Sequence, residues 1–173
     1  MGFFSSLFSR KADPAPQAKA PSAKVVGHKV AGANYHQKEL LAMGRKNPDY
    51  ELSKRDLLKK WQAGVTVYEY TFSPKKAELV PEPENPHDPK AIKVLVDGVH
   101  VGYIKAGSCA HIHRLIRENR IQRIEPKIFG GKYKALYSYD AAASRSDDFE
   151  FEKGTAPFSV SLEIAELPAP EKA

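Results

Sequence analysis

A single cysteine, Cys109, stands in a chain of 173 residues. One thiol excludes an internal disulfide and any zinc site built from several thiolates, and it suits a reducing cytoplasm. No apolar run approaches the roughly 20 residues needed to cross a bilayer. Gly2 to Phe8 is short and lacks a basic lead-in, so no secretory leader is expected and the location is read as cytoplasmic. No Gly-Lys-Ser/Thr phosphate loop is present, which excludes a nucleotide-driven motor. No Gly-x-Ser-x-Gly elbow is present either, so that nucleophile is excluded and no catalytic residue is assigned.

Positive charge is abundant and unevenly placed. Net charge is +6, and the stretch Lys105 to Lys134 holds eight Lys/Arg against only Glu118 and Glu125, equal to the whole excess. Such a segment is either a phosphate-tracking surface or a solvated helix face. Residues 1–22 read as a disordered tail. Pro14, Pro16 and Pro21 sit among Ala and Lys, and such a stretch cannot bury a core. Ahead of them Phe3, Phe4, Leu7 and Phe8 fall at helical spacing, a short amphipathic segment with membrane or partner contact by residues 1–10 as its alternative role. Residues 23–167 read as the folded domain and 168–173 as a second tail.

Within the domain, Val25 to Val30 predicts a first strand ending at Gly32, and Gln37 to Met43 a short helix. A helix is predicted over Ser53 to Gln62, with Ser53 as N-cap, Gly64 as stop, and Leu57, Leu58 and Trp61 on its apolar face. Val65 to Phe72 is β-rich, with Tyr68, Tyr70 and Phe72 alternating. Ile92, Val94 and Val96, then Asp97-Gly98, then Val99, Val101 and Tyr103 predict a hairpin with a two-residue turn, since both turn residues must take positive φ. Ser108 is the expected cap of a helix reaching Asn119, with Ile112, Leu115 and Ile116 buried. Ile121–Phe129 and Pro157–Ile164 predict two more strands around a polar loop or hairpin. No βαβ rhythm appears. The fold class expected is mainly β (α+β), a small, modified OB-like β-barrel with peripheral helices.

The segment Glu82-Pro83-Glu84-Asn85-Pro86-His87-Asp88-Pro89 precedes the hairpin. Its prolines stiffen the backbone and cannot donate to a ladder. A stiff turn holding an amide, an imidazole and a carboxylate can read polar groups, or Asn85 and Asp88 can simply cap the turn through their own backbone. This segment with Lys90-Ala91-Ile92-Lys93-Val94, followed by Val101-Gly102-Tyr103-Ile104, resembles the HIRAN family in order and spacing. Val30-Ala31-Gly32-Ala33-Asn34-Tyr35-His36 resembles the family's first strand and its exit, and Ile128-Phe129-Gly130 its later strand. The resemblance runs from Lys24 to Ile164, with insertions near 47–62 and 140–154.

The resemblance implies an OB-like domain that binds single-stranded DNA at its free 3′ end, as in the front domains of fork-remodelling helicases and free-standing bacterial or phage proteins. Repair or replication would be its setting, and a helicase or repair protein a partner. It implies that Asn85, His87 and Asp88 meet the last nucleotides, with Asn34, Tyr35, His36, Tyr103, Lys105 and Phe129 completing the DNA-binding set. Two positions depart from the family: Asn34 replaces a frequent Arg, and His87 a usual Tyr. A free 3′-hydroxyl can donate to the Asp88 carboxylate, whereas a continuing phosphate would be repelled. Tyr35, Tyr103 and Phe129 are either stacking residues or ordinary barrel core. Arg114, Arg117 and Arg120 are expected to track phosphates. The acidic run Asp140, Asp147, Asp148, Glu150 and Glu152 is a candidate to fold over the basic groove.

No cofactor is expected. Two other classes of function stand beside DNA binding. One is a protein-interaction adaptor tethered by the Phe3–Phe8 segment. The other is metal-dependent phosphohydrolysis with a divalent ion near His87, Asp88 and His100, disfavoured because two-metal sites need several carboxylates.

Overall fold

The structure is a computed structural model, and it describes residues 23–61, 65–138 and 149–169. The predicted tail at 1–22 with its amphipathic segment, Asp140, Asp147, Asp148 and the last residues lie outside that description.

The chain order is strand β1 (Lys24–Ala31), a 3-10 turn (Ala33–His36), helix α1 (Gln37–Met43), β2 (Arg45–Lys46), a second 3-10 turn (Pro48–Glu51), α2 (Lys54–Lys60), β3 (Val65–Tyr68), β4 (Tyr70–Thr71), β5 (Ala77–Pro81), β6 (Ile92–Val96), β7 (Val99–Ile104), α3 (Ala106–Arg117), β8 (Ile121–Tyr137) and β9 (Glu150–Glu166). Seven strands form one antiparallel sheet in the order β3-β8-β9-β1-β7-β6-β5, and β2 pairs with β4 apart from it. The sheet curls into a half-barrel, so the fold is mainly β and OB-like, as expected.

Local signals account for several elements. Asp97 and Gly98 take φ 48° and 83°, closing the β6–β7 hairpin with Val96 opposite Val99. Ser53 caps α2, its hydroxyl accepting the Asp56 N–H at 3.2 Å. On α3, Cys109, Ile112 and Leu115 are buried against the sheet with Ile92, Val94, Val96, Leu162 and Ile164. Each such aliphatic side chain contributes about 1.5–3 kcal/mol on leaving water. The helix closes where expected: Asn119 takes φ 50°, and the Arg120 N–H reaches back to the Leu115 carbonyl at 2.9 Å.

Five elements differ from the sequence reading. The last two strands are far longer than expected, each 17 residues, and pair along their length as one hairpin. Glu150 and Glu152 therefore lie on β9, opposite Tyr137 and Ala135, not in a loop over the basic segment. Gly130 and Gly131, at φ 127° and 87°, mark a register shift that lets β8 bend and continue. The run Val65–Phe72 breaks at Glu69, whose N–H goes to Lys132, so Tyr70 belongs to the small β2–β4 pair. Ser108 sits inside α3, which starts after Lys105 without a side-chain cap. Trp61 is 42% exposed, so α2 buries Leu57 instead, against Val67 and Leu136. Lys134 holds this inserted helix region by donating to the carbonyls of Tyr50 and Leu52.

Candidate nucleic-acid interface

Gly102 sets the geometry of the site. Its φ is 136°, and a Cβ there would lie 2.2 Å from the Ala31 carbonyl oxygen. Only hydrogen at that position lets the end of β1 press onto β7, where Ala31 pairs with Tyr103. The chain then turns at Gly32 (φ 80°), and the Tyr35 N–H bonds the Gly32 carbonyl at 3.0 Å. This tight turn throws the Tyr35 side chain outward, 89% exposed. Asn34 beside it is also exposed.

A bulge in the β6–β7 pairing shapes the next layer. Leu95 faces His100 and Val94 faces Gly102, leaving Val101 as the extra residue. The shift brings His100 and Tyr103, three residues apart, into contact with ring centroids 5.0 Å apart and planes perpendicular. His36 packs on the other side of His100, centroid to centroid at 4.4 Å. Strict alternation had separated His100 from Tyr103, so the sequence reading set His100 beside a candidate metal ion and not in the DNA-binding set. The signal for it was Gly102, because a glycine inside a strand marks a bulge.

The Pro-rich turn lies next to these rings. Asn85 Oδ1 accepts the N–H groups of His87 and Asp88 at 3.0 and 3.2 Å, and its Nδ2 donates to Glu82 at 3.0 Å. Asp88 Oδ1 accepts the Lys90 N–H at 2.8 Å. Both side chains thus cap the turn through backbone. The His87 ring is left exposed and makes no hydrogen bond among the described residues. Glu82 is the organiser that sequence reasoning missed: its carboxylate takes Lys93, Asn85 and the Tyr103 hydroxyl. The Lys93 contact holds the Glu82 carboxyl below its usual range, and burial with the Glu82 bond pushes the Tyr103 hydroxyl up. Glu82 to His87 and Tyr103 bound an open concavity of ≈ 590 Å³.

Other expected residues lie elsewhere. Asp88 does not line the concavity; its charge is felt by the buried Cys109 thiol on α3, which burial and Asp88 both push up. Phe129 is 43% exposed but lines a separate cleft of ≈ 460 Å³ with Trp61, Tyr68 and Phe72. Strands β9 and β1 stand between it and β7, so it does not close the Tyr103 pocket. None of Tyr35, Tyr103 and Phe129 belongs to the buried core.

The basic stretch is not one patch. Arg120 is spent on Glu118 at 2.8 Å and on the Leu167 carbonyl at 2.9 Å. Arg123 pairs with Glu125, Lys127 with Glu163, and Lys134 serves the inserted region. Arg114 and Arg117 remain exposed on α3, Arg114 donating to His111 at 3.1 Å. Lys105 is exposed directly after β7. At 1.5 Å per residue, Arg117 is roughly 18 Å along the helix from Lys105. His87, Asp88 and His100 do not converge, and among the described residues no three His, Cys, Asp or Glu side chains cluster as metal ligands.

The fold and this surface define a barrel-type binding module. Residues 63–140 match the HIRAN domain family. HIRAN domains are generally DNA-binding modules, binding domains rather than catalytic ones. No curated protein and no solved structure matches the chain. The matched span runs from before β3 through β8, yet β8 reaches β7 only through β9 and β1, which lie outside it. Among the described residues no helix is long and apolar enough to cross a membrane.

Proposed function

We propose that the protein binds single-stranded DNA and grips its free 3′ end at the Glu82–His87 turn, within a repair or replication complex that includes a helicase or repair protein. The observation that carries this reading is Tyr35: an aromatic ring 89% exposed, on the same short turn as His36, whose ring meets His100, which in turn meets Tyr103 at the open concavity. A ring presented to water has no packing role, whereas base stacking on it is worth about 1–3 kcal/mol. The terminal base stacks on Tyr35 or His87 and the terminal sugar lies against the turn on its Asp88 side. Asp88 Oδ2 has no hydrogen-bond partner among the described residues, so it is open to a 3′-hydroxyl. Lys105, Arg114 and Arg117 follow the phosphates along α3.

The test is fluorescence anisotropy with a short labelled strand carrying a free 3′-hydroxyl or a 3′-phosphate. The reading expects tighter binding of the free end. Equal, salt-sensitive binding of both ends would leave a DNA-binding surface without end recognition.

A further inference from the structure

We propose that His100, held ring to ring with His36, forms a proton-gated seat for a DNA phosphate, so that the pair gains a proton when a phosphodiester docks. The inference rests on the DNA-binding reading above and adds a residue and a control to it.

The need for such a seat is electrostatic. Glu82 and Glu84 line the concavity, and Lys93 is spent on Glu82. A phosphodiester entering there meets carboxylates and needs a cation. A histidine can supply that cation on demand, and the His100 ring meets Tyr103, which lines the concavity, at 5.0 Å. His87 makes no ring contact, whereas His36 and His100 lie 4.4 Å apart at 54°.

The protonation state of His100 follows from its contacts. Its Nε2 lies 3.2 Å from the Gly102 carbonyl oxygen, which can only accept. Nε2 therefore carries the hydrogen, and Nδ1 is the atom that gains a proton. Nδ1 has no hydrogen-bond partner among the described residues, so it is the ring nitrogen left to meet a ligand. The groups acting on His100 are His36 from the turn after β1, Lys93 from β6, and Glu82 beyond β5. Burial first, then His36, holds its proton affinity below the ordinary value, and Glu82 opposes weakly. Two adjacent imidazolium rings repel each other, so the free pair resists a second proton. A phosphate oxygen between them reverses that, and by linkage binding takes up protons.

The experiment measures affinity of the full chain for labelled oligothymidylate at constant ionic strength from about pH 8 to about pH 5.5, with unfolding curves at each pH to establish that the fold persists. Uptake of up to one proton tightens binding by about three- to tenfold per pH unit below neutrality. His100→Gln and His36→Gln are expected to flatten the slope to less than about twofold, while His113→Gln, whose ring rests on the Lys90 carbonyl away from the seat, keeps it. A second readout is the NMR titration of the His100 ring in the unaltered protein, whose midpoint must rise when oligothymidylate is added. An unchanged midpoint, or a His100→Gln slope equal to that of the parent, overturns the seat. If binding is retained and salt-sensitive but flat with pH, the seat fails and DNA binding stands. If no binding occurs at any pH, both fail.

Discussion

Replacing Gly102 with alanine should be among the most damaging single-methyl changes in the protein. The new Cβ would meet the Ala31 carbonyl oxygen at 2.2 Å and Val30 Cγ1 at 2.8 Å, both on the crossing strand β1. Neither is the far end of a flexible side chain, so β1 itself must move. The backbone at φ 136° adds strain that L side chains rarely bear. Overpacking of this kind costs about 1–3 kcal/mol, and a residue held in a glycine-only region about 1–3 kcal/mol more. We expect a loss of about 3–5 kcal/mol, a large share of the roughly 5–15 kcal/mol that holds a domain folded. The assay is urea unfolding followed by far-ultraviolet circular dichroism. With a slope of about 2 kcal/mol per molar, the midpoint should fall by about 2 M at unchanged slope. Gly107→Ala is the control, since its Cβ meets nothing within 4 Å on helix α3. It should be neutral or gain about 0.5–1 kcal/mol. A Gly102→Ala protein within about 1 kcal/mol of the parent would refute the claim that close strand contact requires glycine there.

Further outcomes follow from other residues. Tyr35→Ala should weaken DNA binding by about 1–3 kcal/mol while leaving the urea midpoint unmoved, because the ring is already in water; a stability loss of similar size would show that it packs. Asp88→Asn keeps the acceptor for the Lys90 N–H but removes the charge, so it should retain the fold and lose preference for a free 3′-hydroxyl over a 3′-phosphate; retained preference would show that Asp88 only shapes the turn. Arg117→Ala should lower the slope of log affinity against log salt by about 0.7, and an unaltered slope would place the phosphates elsewhere. Acid should destabilise the free protein. Burial holds His28, with its unpaired Nε2, and His100 below their ordinary 6.5, so the unfolded chain binds protons first. Stability should therefore fall as pH drops through that value, and less so in His28→Leu; equal acid sensitivity of the two proteins in urea titrations would acquit His28.

What the sequence revealed was what neighbours in the chain decide. The Asp97-Gly98 turn, the Ser53 cap and the apolar face of α3 each depend on a few adjacent residues, and each was legible. The turn motif gave the family. Contacts decided across the sheet were not legible. Phe129 reads as a pocket wall until the order β8-β9-β1-β7 places two strands between it and Tyr103. The pairing of His100 with Tyr103 depends on a bulge, which shifts faces by one residue and defeats alternation. The charge of Lys105 to Lys134 reads as one patch because it is continuous in the chain, yet it divides between a helix and a strand. Half of its cations are satisfied there by acids or carbonyls. Asp88 and Asn85 were read as turn formers or ligand readers, and the turn-forming role is the one visible in their hydrogen bonds.

The first strand of this sheet lies in its middle, with β7 on one side and β9 on the other. Val30 waits for Ile104, and Val26 for Ile164, near the far end of the chain. During synthesis, then, the segment that presents Tyr35 waits some seventy residues for β7, and its strand gains its second neighbour only when β9 has followed. Such late, long-range closure makes folding slow. It also means that a chain lacking β9 leaves β1 open along one edge, so a prematurely terminated product exposes an unpaired strand.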